Sequence, residues 1–382
     1  MSRRPNKRLV VCCDGTWNLP DQRCPTNVAK VALAVAQQDH HGIEQRVFYH
    51  HGVGTHRWDR LRGGAFGAGL SRDVCDTYRF LVKNYEPGDE LFFFGFSRGA
   101  FTARSTAALV RNAGIIRAEN IDLVDAAYAL YRSRTKTKRP RGREAVLFRQ
   151  SYSHEPRIRF IGVWDTVGAL GIPVGPTRLI RLINRRWEFH DLELSTYVDA
   201  AYQALAIDEK RQPFTPAVWS VPNDAPSHQR VEQVWFSGVH CDVGGGNPGH
   251  GLSDIALLWM AERAIESRLA FREGAFVHEP DPPGQPDGSG ASRRESEDEM
   301  RRRCTRVMPD PFAEITDSRR WFYRWLPARN RKPDFSSSSS QSLSPSAEQR
   351  HLKDPSYAPV NFVDRLDDDE TGPIGPGLRQ VR

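Results

Sequence analysis

Gly95-Phe96-Ser97-Arg98-Gly99 lies between an apolar run, Leu91-Phe92-Phe93-Phe94, and a segment from Ala100 to Val110 that reads as a helix. A buried strand passing through a sharp turn into a helix commits the chain to an α/β layer. The serine hydroxyl is forced out at the end of a sheet, and the flanking glycines leave room for the tight backbone. The helix start aims backbone N–H groups at the same point, where an oxyanion would form. As a bare pattern G-x-S-x-G is common by chance. With a strand before it and a helix after it, the stretch reads as a nucleophile elbow. A small-residue turn joining strand and helix is the plain alternative.

Five short strands are predicted from apolar, β-branched runs: Leu9 to Cys13, Arg46 to Tyr49, Glu90 to Phe94, Arg157 to Val163 and Gln233 to Val239. The helical segments between them argue for parallel crossovers rather than hairpins. Ser71 to Tyr85 is predicted as a helix with Val74, Tyr78, Leu81 and Tyr85 on one face. The helix after Ser97 is expected to stop at Gly114, and the Ala- and Leu-rich stretch Tyr197 to Glu209 is expected to be a further helix. A mostly parallel, doubly wound sheet follows, with a catalytic domain over residues 1–270. Past Arg272 the composition changes. Residues 279–299 are rich in Pro, Gly, Ser and charge, and 335–346 hold five consecutive serines. Both read as flexible stretches of an accessory region, 271–382. Between them, Trp321-Phe322-Tyr323-Arg324-Trp325-Leu326 is too aromatic for a free linker and is expected to dock on the core.

A chain of 382 residues that is 39% hydrophobic can bury one large α/β core. It contains no apolar run near bilayer-spanning length, and its basic N-terminus precedes a short strand rather than a signal-peptide core. The expectation is a protein soluble and cytoplasmic when made, with any export reading no cleaved signal. Six cysteines show neither disulfide nor zinc spacing and read as reduced. Much of the net charge of +7 is local, in Arg132, Arg134, Lys136, Lys138, Arg139, Arg141 and Arg143. That stretch reads as a solvated loop or as a contact with an anionic surface, with phospholipid favoured and nucleic acid not expected.

A serine nucleophile needs a base, and the base needs an orienting acid. Two later strands end in suitable residues: Val163-Trp164 runs into Asp165-Thr166-Val167-Gly168, and Gly238-Val239 into His240-Cys241-Asp242-Val243-Gly244-Gly245-Gly246. The order Ser97, Asp165, His240 is that of an α/β-hydrolase. Asp199, Asp208 and Asp242 remain alternatives to Asp165 as the acid. The first strand ends in Cys13-Asp14-Gly15-Thr16-Trp17-Asn18. An N–H from Gly15 or Thr16 is expected to join that of Arg98 in the oxyanion hole. Asp14 would brace the turn or meet substrate, and Asp242 is a supporting candidate. Asp-Gly-Thr also fits aspartyl-phosphate phosphatases, but Cys12 stands where their nucleophilic Asp is needed. Gly63-Gly64-Ala65-Phe66-Gly67-Ala68-Gly69 reads as a helix-entry loop rather than a phosphate cradle, lacking the glycine order of a dinucleotide site. No organic cofactor is implied. Asp14 and Asp242 leave a Ca²⁺ or Mg²⁺ site open, although His50-His51 and His240 lack metal-ligand spacing.

Four motifs in this order, Val11 to Asn18, Gly95 to Arg104, Gly162 to Gly168 and His240 to Gly246, resemble an uncharacterised α/β-hydrolase domain family. That family includes the type VI secretion phospholipase effectors of the first lipase class. The resemblance covers about residues 8–265, with a weaker return at Tyr357 to Phe362. It implies an α/β-hydrolase fold, a Ser-Asp-His triad, cleavage of glycerophospholipid acyl esters, and a secretion-system or immunity protein as partner. Ser97 matches the nucleophile directly; Asp165 and His240 match by motif and strand position. One departure stands out. Family members often carry a His just before the final Tyr-x-Pro, and Ser342-Leu343-Ser344-Pro345-Ser346 has none. Where that His serves catalysis in family members, this chain must rely on His240 or be impaired.

Thr177 to Trp187 reads as an amphipathic helix, with Leu179, Ile180, Leu182, Ile183 and Trp187 on one face and Arg178, Arg181 and Arg185 on the other. It lies in a segment, 171–195, placed to act as a lid, or it packs on the sheet as an ordinary surface helix. The sequence therefore predicts a serine hydrolase of acyl esters, most of all glycerophospholipids. A soluble carboxylesterase and a non-catalytic interaction module on the same scaffold are the competing classes.

Overall fold

The computed structural model describes residues 6–15, 24–52, 65–168, 193–278, 296–319, 324, 328–336 and 339–367. Nine strands occur in it: β1 (Lys7–Cys13), β2 (Glu44–His50), β3 (Glu90–Phe96), β4 (Ile115–Ile116), β5 (Ser153–His154), β6 (Ile158–Trp164), β7 (Ala200–Ala206), β8 (Arg230–Phe236) and β9 (Gln341–Leu343). β4 and β5 form a small antiparallel pair. The other seven make one sheet in the order β2-β1-β3-β6-β7-β8-β9, every neighbour parallel. The chain leaves β1 toward β2 on one side and returns to β3 on the other. The crevice that forms where the order reverses, at the carboxyl ends of β1 and β3, is the standard ligand position of open α/β sheets.

The strands are apolar on both faces because helices cover both. Leu9, Val11, Leu91, Phe93 and Ile161 face α2 (Ala65–Asn84), α3 (Arg98–Ala113), α4 (Val124–Arg132) and α5 (Arg143–Tyr152). Val10, Phe92, Phe94, Phe160 and Trp164 alternate with them and face α1 (Asn27–Ala34) and α7 (Gly251–Glu266), with α6 (His240–Gly244) between β8 and α7. This is the continuous hydrophobic strand pattern of a parallel sheet buried on both faces. The fold is that of an α/β-hydrolase. Buried charges at the strand starts are paired: Lys7 with Asp89 at 2.9 Å, and Arg8 with Asp39 at 2.8 Å and Glu90 at 2.9 Å.

Two expectations are corrected. Tyr197 to Glu209 is not a helix; its centre is β7, with all seven residues buried between β6 and β8. Helix propensity amounts to a few tenths of a kcal/mol per residue, and tertiary context overrides it. Here both strand edges are filled by ladder hydrogen bonds, and the small Ala side chains let covering layers approach. The stretch 335–346, read as flexible, contains β9 as the seventh strand of the sheet and the start of α9 (Pro345–Lys353), whose cap is Ser344. Leu343, Ala347 and Phe362 pack on Leu205, Ile207 and Trp235. Residues beyond 270 thus extend the same sheet. At the end of 279–299, Ser296 and Glu299 form a capping box that opens α8 (Glu297–Thr305).

The segment Thr177 to Trp187, most of the expected lid, Thr16, Gly63, Gly64 and all of Trp321 to Leu326 except Arg324 lie outside the described residues. Gly67 and Gly69 fall within α2. The basic stretch joins α4 to α5; there Arg141 pairs with Asp224 at 2.5 Å. Among the described residues no helix is long and apolar enough to cross a membrane, and all six cysteines are free thiols.

Candidate active site

At the end of β3 the backbone of Ser97 turns to φ +58°, ψ −119°, and α3 begins at the next residue. Non-glycine residues rarely adopt positive φ, which costs on the order of 1–3 kcal/mol and persists only where the surroundings impose it. Here packing imposes it. A Cβ on Gly95 would stand 2.6 Å from Ala100 Cα, and one on Gly99 would stand 2.1 Å from the Cys13 carbonyl oxygen. The glycines therefore let α3 start directly against the end of β1. The Ser97 N–H donates to the Trp164 carbonyl at 3.1 Å, tying the elbow to β6. Arg98, the first residue of α3, lies at the positive end of the helix dipole.

His240 opens α6, just past the end of β8. Its imidazole lies between the rings of Phe96 and Phe214, with centroids 4.7 and 4.8 Å away. Nε2 is 2.8 Å from Ser97 Oγ and Nδ1 is 2.6 Å from Asp165 Oδ2. All three side chains are buried. Asp165 follows β6 with φ +37°, and its N–H donates to the Ala204 carbonyl on β7 at 2.7 Å. The Ala206 N–H donates to Asp165 Oδ1 at 3.1 Å. Burial opposes a charge on this carboxyl. The Arg331 guanidinium and the His240 hydrogen bond outweigh it and hold the group well below the usual carboxylate range. With Asp165 ionised, Nδ1 carries the imidazole proton and Nε2 accepts from the serine hydroxyl.

Each rival acid is engaged elsewhere. Asp199 pairs with Arg157 at 2.7 Å. Asp208 accepts from the Gly238 N–H at 2.7 Å and the Tyr357 hydroxyl at 2.9 Å. Asp242 caps α6 through the Val239 N–H at 3.0 Å and holds the Thr316 N–H and hydroxyl at 3.0 and 2.6 Å. Asp14 braces its turn, accepting from the Gly15 N–H and from the hydroxyls of Thr26 and Tyr49, each at 2.6 Å. The Gly15 N–H, expected in the oxyanion hole, thus donates to the Asp14 carboxylate here. Among the described residues no group of three or more His, Cys, Asp or Glu side chains could hold a metal ion.

Two residues enter the site unforeseen. Arg331, from the C-terminal region, donates to both Asp165 oxygens at 3.0 Å. Glu209 accepts the His240 N–H at 3.3 Å and pairs with Arg211 at 2.7 Å. In the sequence, Asp208-Glu209-Lys210-Arg211 reads only as a helix-end cap or ion pair. For Arg331 the sequence carries no local signal, since nothing in Arg329-Asn330-Arg331-Lys332 separates it from its basic neighbours.

Residues 7–263 match the family of type VI secretion system Tle1-like phospholipase effector catalytic domains. The chain belongs to this family. It is also 27% identical over 230 residues to the uncharacterised protein YEL023C of Saccharomyces cerevisiae, covering 54% of this chain and 32% of that one. Among solved structures, an uncharacterised protein from Pseudomonas aeruginosa is 17% identical with a TM-score of 0.42, covering 70% of this chain and 46% of the other. A Tle1 effector bound to the VgrG spike of the type VI secretion system is 20% identical with a TM-score of 0.36, covering 65% and 52%. The chain thus spans about a third of its yeast relative and about half of each solved chain. The family is one of phospholipase effectors, and the matched residues include β1, β3, β6 and β8 together with Ser97, Asp165 and His240.

Proposed function

We propose that this chain is a serine hydrolase that cleaves acyl esters of glycerophospholipids. The observation that carries the proposal is the unbroken hydrogen-bond chain from Ser97 Oγ through His240 to Asp165. Ser97 Oγ attacks the acyl carbonyl carbon while its proton passes to His240 Nε2. The carbonyl oxygen becomes an oxyanion at the start of α3, where the Arg98 amide stabilises it and Thr16 is a second donor candidate. Collapse expels the lysolipid alkoxide, which takes the proton from Nε2 and leaves an acyl-serine. Water then gives a proton to His240 as it attacks the acyl carbon. The fatty acid departs as the proton returns to Ser97. Asp165 stays ionised throughout and holds the imidazole tautomer. Asp14 and Asp242 shape the turns around these groups.

Membership of a phospholipase effector family supports the lipid substrate and, with it, a secretion-system component or an immunity protein as partner. The deciding experiment is fatty-acid release from defined phospholipid vesicles by the wild type and Ser97→Ala. Release by the wild type and its loss in the folded variant support the proposal. Equal release by both removes Ser97 from the chemistry. Cleavage of soluble short-chain esters alone moves the substrate away from lipid.

A further inference from the structure

We propose that Arg331 is a positioning residue of this site, supplied by the C-terminal region to hold Asp165 against His240 and to set the pH at which that pair takes up a proton. The inference rests on the Ser97–His240–Asp165 assignment above.

The geometry is that of a fork on a carboxylate. Arg331 Nη1 donates to Asp165 Oδ1 and Nη2 to Oδ2, both at 3.0 Å. Two parallel N–H···O bonds fix the carboxylate plane in a way one ammonium group cannot. The guanidinium is itself fixed. Arg331 is 4% exposed, and Nη2 also donates to the Phe214 carbonyl at 2.7 Å, within the residue whose ring packs edge-on to His240. The Arg331 carbonyl accepts from Asn361 Nδ2 at 2.8 Å. The next residue, Phe362, is buried edge-on against Trp235 of β8 at 5.2 Å. The arginine is thus anchored to the sheet through its backbone and to the site through its side chain.

The other ionisable groups around the pair are accounted for. From the end of β7, Glu209 faces the His240 backbone and is neutralised by Arg211 at 2.7 Å. On α6, burial pushes the Cys241 thiol up to about 11, so it stays neutral, and the Asp242 carboxylate is held by Val239 and Thr316. From the turn before α3 comes the Ser97 hydroxyl, and Arg98 is the first residue of α3. Among the described residues Arg331 is the one arginine or lysine within hydrogen-bonding distance of Asp165. A fixed positive charge there disfavours proton uptake by the pair, whether the proton goes to the imidazole or to the carboxyl. Its removal must therefore raise the pair's proton affinity in either case.

The experiment uses the full chain as wild type, Arg331→Met and Arg331→Lys, with folding checked by circular dichroism. Histidine ¹⁵N NMR, assigned with His240→Gln, reads the titration midpoint of His240 without needing any substrate. Arg331→Met is expected to raise that midpoint. The acid limb of kcat/KM on a soluble ester should move with it. Arg331→Lys keeps the charge but loses the fork, so its midpoint stays near the wild-type value while kcat falls about 10- to 100-fold at similar KM. A midpoint in Arg331→Met that coincides with the wild type overturns the proposal. If that variant fails to fold, wild-type kcat in Arg331→Lys overturns it instead. Absence of any Ser97-dependent ester cleavage would sink the hydrolase assignment, while the NMR midpoint would still judge Arg331.

Discussion

Ser97 and Asp165 face each other across one imidazole, yet they are held in different ways. The serine is fixed chiefly by glycines two residues to either side and by the helix that starts next to it, with the end of β1 packed against Gly99 and the Trp164 carbonyl holding its N–H. The aspartate is held by partners 41, 75 and 166 positions away: Ala206, His240 and Arg331. One side of the site is a local backbone device. The other is assembled from β7, α6 and the C-terminal region. A local device forms wherever its few residues can form. An assembled one exists only after long-range closure, whose entropic cost burial elsewhere must offset.

The largest effects should come from the groups both halves share. Ser97→Ala and His240→Ala should each lower kcat by at least about 10⁴-fold while the melting temperature barely moves, because residues that act as a unit fail together. A folded Ser97→Ala retaining a few per cent of turnover would end the nucleophile assignment. Asp165→Asn should leave more residual activity, since the acid orients the imidazole but never bonds to substrate. Near-normal turnover in Asp165→Asn, with a dead Asp199 or Asp208 variant, would move the acid there.

The two halves can then be broken separately. Phe362→Ala removes the ring that pins the C-terminal region to β8 and should cost about 3–5 kcal/mol of stability, read by denaturant unfolding. An unchanged unfolding midpoint would show that the region docks without contributing to the core. Gly99→Ala attacks the local half, because its Cβ meets the Cys13 carbonyl and forces β1 and α3 apart; a loss of about 3 kcal/mol is expected, with activity falling in parallel. Should Gly99→Ala keep full activity, the close approach is not what shapes the elbow. Smallest of all, Arg141→Gln breaks an ion pair between exposed side chains, and no shift in melting temperature is expected. A clear shift would mean that the basic stretch helps hold α5 in place.

Five of the seven strands of the main sheet and the strand–turn–helix around Ser97 were legible in the sequence, as were the strand ends that carry Asp165 and His240, because each is written in short-range signals. Leu-Phe-Phe-Phe cannot stay in water, a serine between two glycines can make the sharp turn, and polar residues just past an apolar run mark a strand's carboxyl end. Ala200 to Ala206 defeated that approach: its local preference is helical, and only strands on both of its edges make it β7. Arg331 defeated it more completely. An arginine's partner is chosen by where its chain segment docks, and that depends on Leu343, Ala347 and Phe362 finding Trp235 across more than a hundred residues. The sequence by itself thus determined the fold class and the chemical identity of the three residues proposed for catalysis. Only the tertiary structure decided which acid meets His240 and what holds that acid charged, because in a buried site the energy of a carboxylate is set by neighbours in space, not along the chain.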